Sequence, residues 1–189
     1  MKSLPAALLV ALLALPVQAN DLAPAMKTYV TQTVLPWASD PMVIAAIHAS
    51  NAAHAGLSQA EIDTLDKAWR AEVGTAATPT ITPVVNNLVS DFLRQRLGST
   101  AGRVTEAFVM DDRGLLVGTS GITSDYWQGD EEKWSMTYPR GPGAFHIGEV
   151  EFDDSSQTFQ AQVSFAVVDP ATGLAIGAVT VGLDADAMR

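Results

Sequence analysis

Between Ser124 and Tyr138 the chain reads Ser-Asp-Tyr-Trp-Gln-Gly-Asp-Glu-Glu-Lys-Trp-Ser-Met-Thr-Tyr, and this stretch holds two of its four tryptophans and two of its three tyrosines. Tyr126, Trp127, Trp134 and Tyr138 supply ring faces, with Asp130, Glu131, Glu132 and Lys133 set among them. Exposed aromatic surface without a use invites aggregation, so the segment must cover something. Two uses are open. Ring faces with a few placed charges make the rigid walls and orienting groups of a small-molecule pocket. Equally, Trp127 and Trp134 can plug one end of the core.

Other residues capable of chemistry point away from catalysis. His48 and His54 are six positions apart, on different faces of a helix, where a chelating pair needs four; with His146 they are the only histidines, and no metal site is expected. Gly118-Thr119-Ser120-Gly121 breaks the Gly-x-Ser-x-Gly order of a nucleophile turn, so Ser120 reads as a loop residue. Asp111-Asp112 and Asp153-Asp154 have the look of paired catalytic carboxylates, but each sits where a hairpin turn needs side chains that bond their own backbone. With no phosphate-cradling glycine loop and no calcium-loop spacing, no cofactor is expected. A hydrolase built from scattered Asp, Glu and His ranks below both a binding module and an interaction protein whose loop aromatics meet another chain.

The elements that must position the loop divide at Val104. Before it, apolar residues recur every three or four positions, as on helices: Leu22, Met26, Tyr29, Val30, Thr33, Val34 and Trp37, with Asn20 or Asp21 as cap, and Pro36 then removes a backbone donor. Asp40-Pro41 restarts the helix, and Val43, Ile44 and Ile47 carry the stripe on towards Gly56. Ser58-Gln59-Ala60-Glu61 is a capping box ahead of Ile62, Leu65 and Trp69. Pro83 opens a further helix with Val84, Val85, Leu88, Phe92 and Leu97 on one side and Gly98 as its stop. From Val104 the period is two. Strands are expected at 104–110, 115–119, 146–152, 159–167 and 174–183, joined by turns at Asp111-Gly114, Asp153-Ser156 and Asp169-Gly173. The fold class is α+β, with N-terminal helices packed on a central five-stranded antiparallel sheet. Gly177 and Gly182 in the last strand are expected to let a helix pack closely.

Met1-Lys2-Ser3, the apolar run Ala6–Leu15 and Val17-Gln18-Ala19 read as a secretory leader cleaved after Ala19. The run is about half the ~20 residues needed to span a bilayer. Residues 1–19 are thus the signal peptide, 20–103 the helical part and 104–189 the sheet with its loop, the last two forming one domain. The expected location is the periplasm or the medium, without stable membrane insertion. There is no cysteine, so the fold stands on its core alone. A net charge of −10 repels nucleic-acid phosphates and anionic head groups, and no nucleic-acid partner is expected.

From Val109 to Leu183 the hairpin Asp111-Asp112-Arg113-Gly114, the loop Ser124-Asp125-Tyr126-Trp127, the turn Phe152-Asp153-Asp154-Ser155 and the strands Ser164–Asp169 and Gly173–Gly182 resemble a Cache (PDC-type) extracellular sensor domain. The resemblance covers roughly the last two fifths of the chain. It implies a PAS-like fold whose inter-strand loop closes over a small metabolite, and a membrane sensor kinase or receptor as partner. It also implies that Tyr126, Trp127, Trp134 and Tyr138 line the pocket, while Asp169, at the end of a central strand, meets a positive group on the ligand. Ring quadrupoles attract cations, and Asp125, Asp130, Glu131 and Asp169 are available to compensate one. The expected ligand is therefore an amine or an amino acid, with Lys133, Arg140 and His146 placed to hold a carboxylate on the same molecule. Such a chain binds and does not catalyse.

Overall fold

A computed structural model of the chain describes residues 19–153 and 157–189. Residues 1–18 of the expected leader, and residues 154–156 of the expected turn, lie outside the described residues.

Local signals start the helices. α1 (Ala19–Tyr29) passes through one π-helical turn, Val30–Val34, into α2 (Leu35–Ala38), so Asn20 and Asp21 lie within a helix and do not cap it. The expected restart falls at Asp40, whose carboxylate accepts the Met42 N–H while Pro41 occupies the first position of α3 (Pro41–His54). The extra residue of the π turn re-phases the stripe, and Leu22, Met26, Val30, Val34 and Trp37 are all buried. α4 (Gln59–Glu72) opens with the expected capping box: Ser58 Oγ accepts the Glu61 N–H and Glu61 accepts the Ser58 N–H.

The helix expected from Pro83 is two helices, α5 (Ile81–Val85) and α6 (Leu88–Gly98). Asn87 stands extended between them and caps Ser90, an asparagine role that ends one helix and begins another. The break changes the buried face. Val84, Val89 and Leu93 are buried, whereas Leu88, expected inside, is 74% exposed.

β1 (Val104–Met110), β2 (Leu116–Thr119), β3 (Phe145–Asp153), β4 (Thr158–Val168) and β5 (Ala175–Asp184) form one antiparallel sheet in the order β2-β1-β5-β4-β3. The α+β expectation holds. On one face Val163, Phe165, Val167, Val179 and Val181 pack with Met26, Val30, Val43, Ile47 and Leu93. On the other, Phe108, Met110 and Ala178 pack with Ile62, Trp69, Ile81 and Val84. Phe159, in phase with the apolar residues of β4, is 55% exposed. The alternate, polar residues of β4 are largely covered: Gln160 is buried, and Ser164 is fully buried and hydrogen-bonds Thr180 of β5 at 2.8 Å. That second face is where the long connection between β2 and β3 lies, with its short helix α7 (Glu132–Ser135).

Candidate functional site

The β1–β2 turn anchors the loop. Gly114 takes φ +81°, and Asp111 Oδ1 accepts the N–H groups of Arg113 and Leu115, which is the turn duty expected of this aspartate. The loop then runs beside the hairpin: Leu116 N–H donates to Tyr126 O, and Gln128 N–H to Gly114 O. From α4, Asp66 Oδ1 accepts the N–H groups of Tyr126 (2.9 Å) and Trp127 (3.0 Å). Trp127 Nε1–H donates to Arg113 O and Trp134 Nε1–H to Asp111 O. Asp66, 8% exposed, is a structural residue that the sequence reading missed. Its charge on an otherwise apolar helical stripe is the signal that marks it.

The four loop aromatics therefore do not stand around an empty space. Tyr126 is buried and stacks on Trp69 with centroids 5.3 Å apart; Trp127, Trp134 and Tyr138 pack against the same core cluster. Burial first, and the Asp111 charge second, push the Tyr126 phenol up to about 12. The rings pack as a core plug would, and Tyr126 also borders a cavity of about 650 Å³ beneath α3 and α6.

Asp169 stands at the end of a central strand, β4, as expected, and is held by its own turn. Its Oδ1 accepts the Ala171 N–H and its Oδ2 the Thr172 hydroxyl, and His48 Nε2 of α3 lies 3.4 Å away. The Ala171 N–H, above all, holds the carboxyl below the usual aspartate range. It caps the β4–β5 turn on the α3 side, where turn geometry and the histidine employ its lone pairs.

Glu131, Lys133 and His146 are brought together on the loop-covered face. Lys133 Nζ lies 2.9 Å from Glu131 Oε2 and 5.5 Å from the Phe108 ring centroid, and His146 Nε2 lies 3.6 Å from Glu132 Oε2. Glu131 and Lys133 border a groove in two parts, and His146 is not among its lining residues. The inner part, about 250 Å³, is walled by Glu106 and Phe108 of β1, Asp125 and Gln128 of the loop, and Gln160 and Gln162 of β4. The outer part, about 530 Å³, is walled by Glu131, Glu132, Glu149 and Glu151. Lys133, Asp153, Gln160 and Gln162 border both. The floor is ordered: Gln160 and Gln162 Nε2 donate to Glu106 Oε1, and Thr105 Oγ1 donates to Gln160 Oε1. Gly182 makes room for it, because a Cβ there would come within 2.5 Å of Thr105 Oγ1 and 2.7 Å of Gln160 Oε1. It is side chains, not the expected helix, that need this glycine. Gln128, 1% exposed, donates from Nε2 to Asp125 O and Oδ1, while its Oε1 has no hydrogen-bond partner. A buried acceptor left unmade costs about 1–3 kcal/mol.

A Ser-His-Asp group that was not foreseen forms between α3 and the hairpin. His54 Nδ1 is 2.6 Å from Asp111 Oδ2, and Ser50 Oγ donates to the same oxygen at 2.9 Å. A hydrolytic triad needs the serine on one ring nitrogen and the carboxylate on the other. Here Ser50 is 3.3 Å from Nδ1, the nitrogen that Asp111 already occupies, so the group ties α3 to the turn. Among the described residues, no cluster of three or more His, Cys, Asp or Glu is placed to hold a metal, and no helix is long and apolar enough to cross a membrane.

No protein-family model matches the sequence, and no curated protein does. Among solved structures, the chain is similar to the sensor domain of the V. cholerae histidine kinase DctB (11% identity, TM-score 0.48, 90% of this chain and 57% of that one). It is also similar to the sensory domain of the Campylobacter jejuni chemoreceptor Tlp3 with isoleucine bound (10%, TM-score 0.41, 89% and 64%). A third is the ligand-binding domain of the Pseudomonas fluorescens chemoreceptor CtaA in complex with L-alanine (14%, TM-score 0.39, 88% and 59%). The chain spans less than two thirds of the length of each.

Proposed function

We propose that this chain is a Cache-type sensor domain, exported through the 1–19 leader, which captures a small cationic metabolite, an amine or amino acid, in the groove between the loop and the sheet. Captured ligand is presented to a membrane sensor kinase or receptor; no bond is made or broken. The observation that carries the reading is the groove's charge. Glu106, Glu131, Glu132, Glu149 and Glu151 border it together with Asp125, which Arg70 pairs at 3.1 Å, and the one lysine among the lining residues is held by Glu131. Carboxylates crowded on a partly desolvated surface repel one another, and a bound cation relieves them. Glu131 and Lys133 keep the ligand-binding role expected of them, with His146 standing beside Glu132 outside the groove lining; Trp127 and its neighbours hold the loop in place.

A thermal-melt screen of the mature protein against amines, amino acids and dicarboxylates tests this. Cationic metabolites should raise the melting point, a ligand at a hundred times its Kd adding ~2.7 kcal/mol. A rise with dicarboxylates alone overturns the charge argument, and no rise with any metabolite overturns the sensor reading.

A further inference from the structure

The other face of the sheet, the one covered by the first helices, carries a cavity of about 370 Å³ between the α1–α2 run and strands β3 and β4. Val30, Leu35, Ala38, Phe145, Phe165 and Val167 wall it, and Val30, Ala38, Phe165 and Val167 are buried. In a chain with 21 acidic residues, no carboxylate lines it. The single charged residue of the lining is Lys27, exposed at the rim. Its Nζ stands 5.4 Å from the centroid of the Phe145 ring, itself a wall, and among the described residues no carboxylate pairs with it. The other polar side chains turn to their own helices: Thr31 Oγ1 donates to Lys27 O at 2.8 Å, and Ser39 Oγ reaches Leu35 O at 3.5 Å. One ammonium, held against an apolar wall by its own methylene stem, is therefore the side-chain group left to fix a ligand's polar end.

We propose that this cavity is a second binding site, for an aliphatic monocarboxylate whose carboxylate meets Lys27 Nζ and whose alkyl tail lies along Phe145, Phe165 and Val167. A small-molecule pocket is mostly apolar, with a few placed polar groups that orient the ligand, and this lining has that make-up. A tail that enters displaces water the apolar walls cannot hydrogen-bond, which favours binding. A second carboxylate at the far end of the tail would lie unpaired against buried valine and phenylalanine. An ammonium beside the carboxylate, as in an amino acid, would be brought towards Lys27 with no side-chain carboxylate to meet it. The site lies on the opposite face of the sheet from the acidic groove, and the inference does not rest on that groove.

Calorimetric titration of the mature protein with hexanoate, acetate, adipate and 1-hexanol tests it. Hexanoate should bind about tenfold or more tighter than acetate, which lacks the tail, and than adipate, which charges its far end. It should bind about fivefold tighter than 1-hexanol, which lacks the charge. Lys27→Met, a change at an exposed helix position that keeps an apolar stem, should weaken hexanoate about fivefold and remove the fall of its affinity with added salt, and Lys27→Arg should retain both. If acetate or adipate matches hexanoate, the apolar subsite falls. If 1-hexanol matches it, or Lys27→Met binds hexanoate with wild-type affinity and salt dependence, the assignment to an anion falls. If hexanoate does not bind the wild type, the whole inference falls, and the amine reading of the acidic groove, tested with other probes, is untouched.

Discussion

Replacing Trp127 by alanine separates the two uses of the aromatic loop. The indole packs against the Trp69–Tyr126 cluster and lies over Gly129, and its Nε1–H donates to Arg113 O at 2.8 Å. Deleting a large aromatic from such a place costs about 3–5 kcal/mol when it is fully buried; for a partly buried ring the lower figure applies, about 3 kcal/mol. In a domain of this size each kcal/mol moves the melting point by about 2–4 °C, so Trp127→Ala should melt about 6–12 °C lower. Because the ring does not border the groove, the stabilisation added by a bound amine should be the same in both proteins. Differential scanning calorimetry with and without the ligand found in the screen measures both quantities. Two results refute the reasoning: an unchanged melting point, which denies the ring its packing role, or a lost ligand increment, which makes it a pocket wall.

Tyr126 predicts an alkaline limit to stability. Its phenol titrates near 10 when unfolded and at about 12 when folded, so the unfolded chain loses this proton first and stability falls as pH rises from 10 to 12. At 1.36 kcal/mol per unit the loss is about 2–3 kcal/mol; urea titrations should find it in the wild type and not in Tyr126→Phe, and equal pH slopes would contradict the buried phenol. Asp66→Asn replaces two hydrogen bonds to a carboxylate by weaker neutral ones, an expected cost of about 1.5–3 kcal/mol. Hydrogen exchange should quicken at the Tyr126 and Trp127 amides; unchanged protection there would show that Asp66 does not pin the loop.

Much of the fold is legible in the chain because its signals are local. The change of period at Val104, the Asp40-Pro41 restart, the Ser58–Glu61 box and the Asp111–Gly114 turn each act within a few residues and appear where their chemistry places them. Helix α6 shows the limit even of local reading, since one capping asparagine, Asn87, turned its apolar stripe and left Leu88 outside. The tertiary structure alone decided what covers each face of the sheet. Alternation along β4 distinguishes an apolar from a polar face but not what covers either, and Gln160, Gln162 and Ser164 form the floor and margin of a covered surface. Two partners remote in sequence, Trp69 and Asp66 of α4, drew the loop aromatics into the core, and His48 of α3 took Asp169. A carboxylate's role depends on which donor reaches it in space. That is why spacing identified Asp111 as a turn residue, while the acidic groove emerged only when β1, β3, β4 and the loop came together.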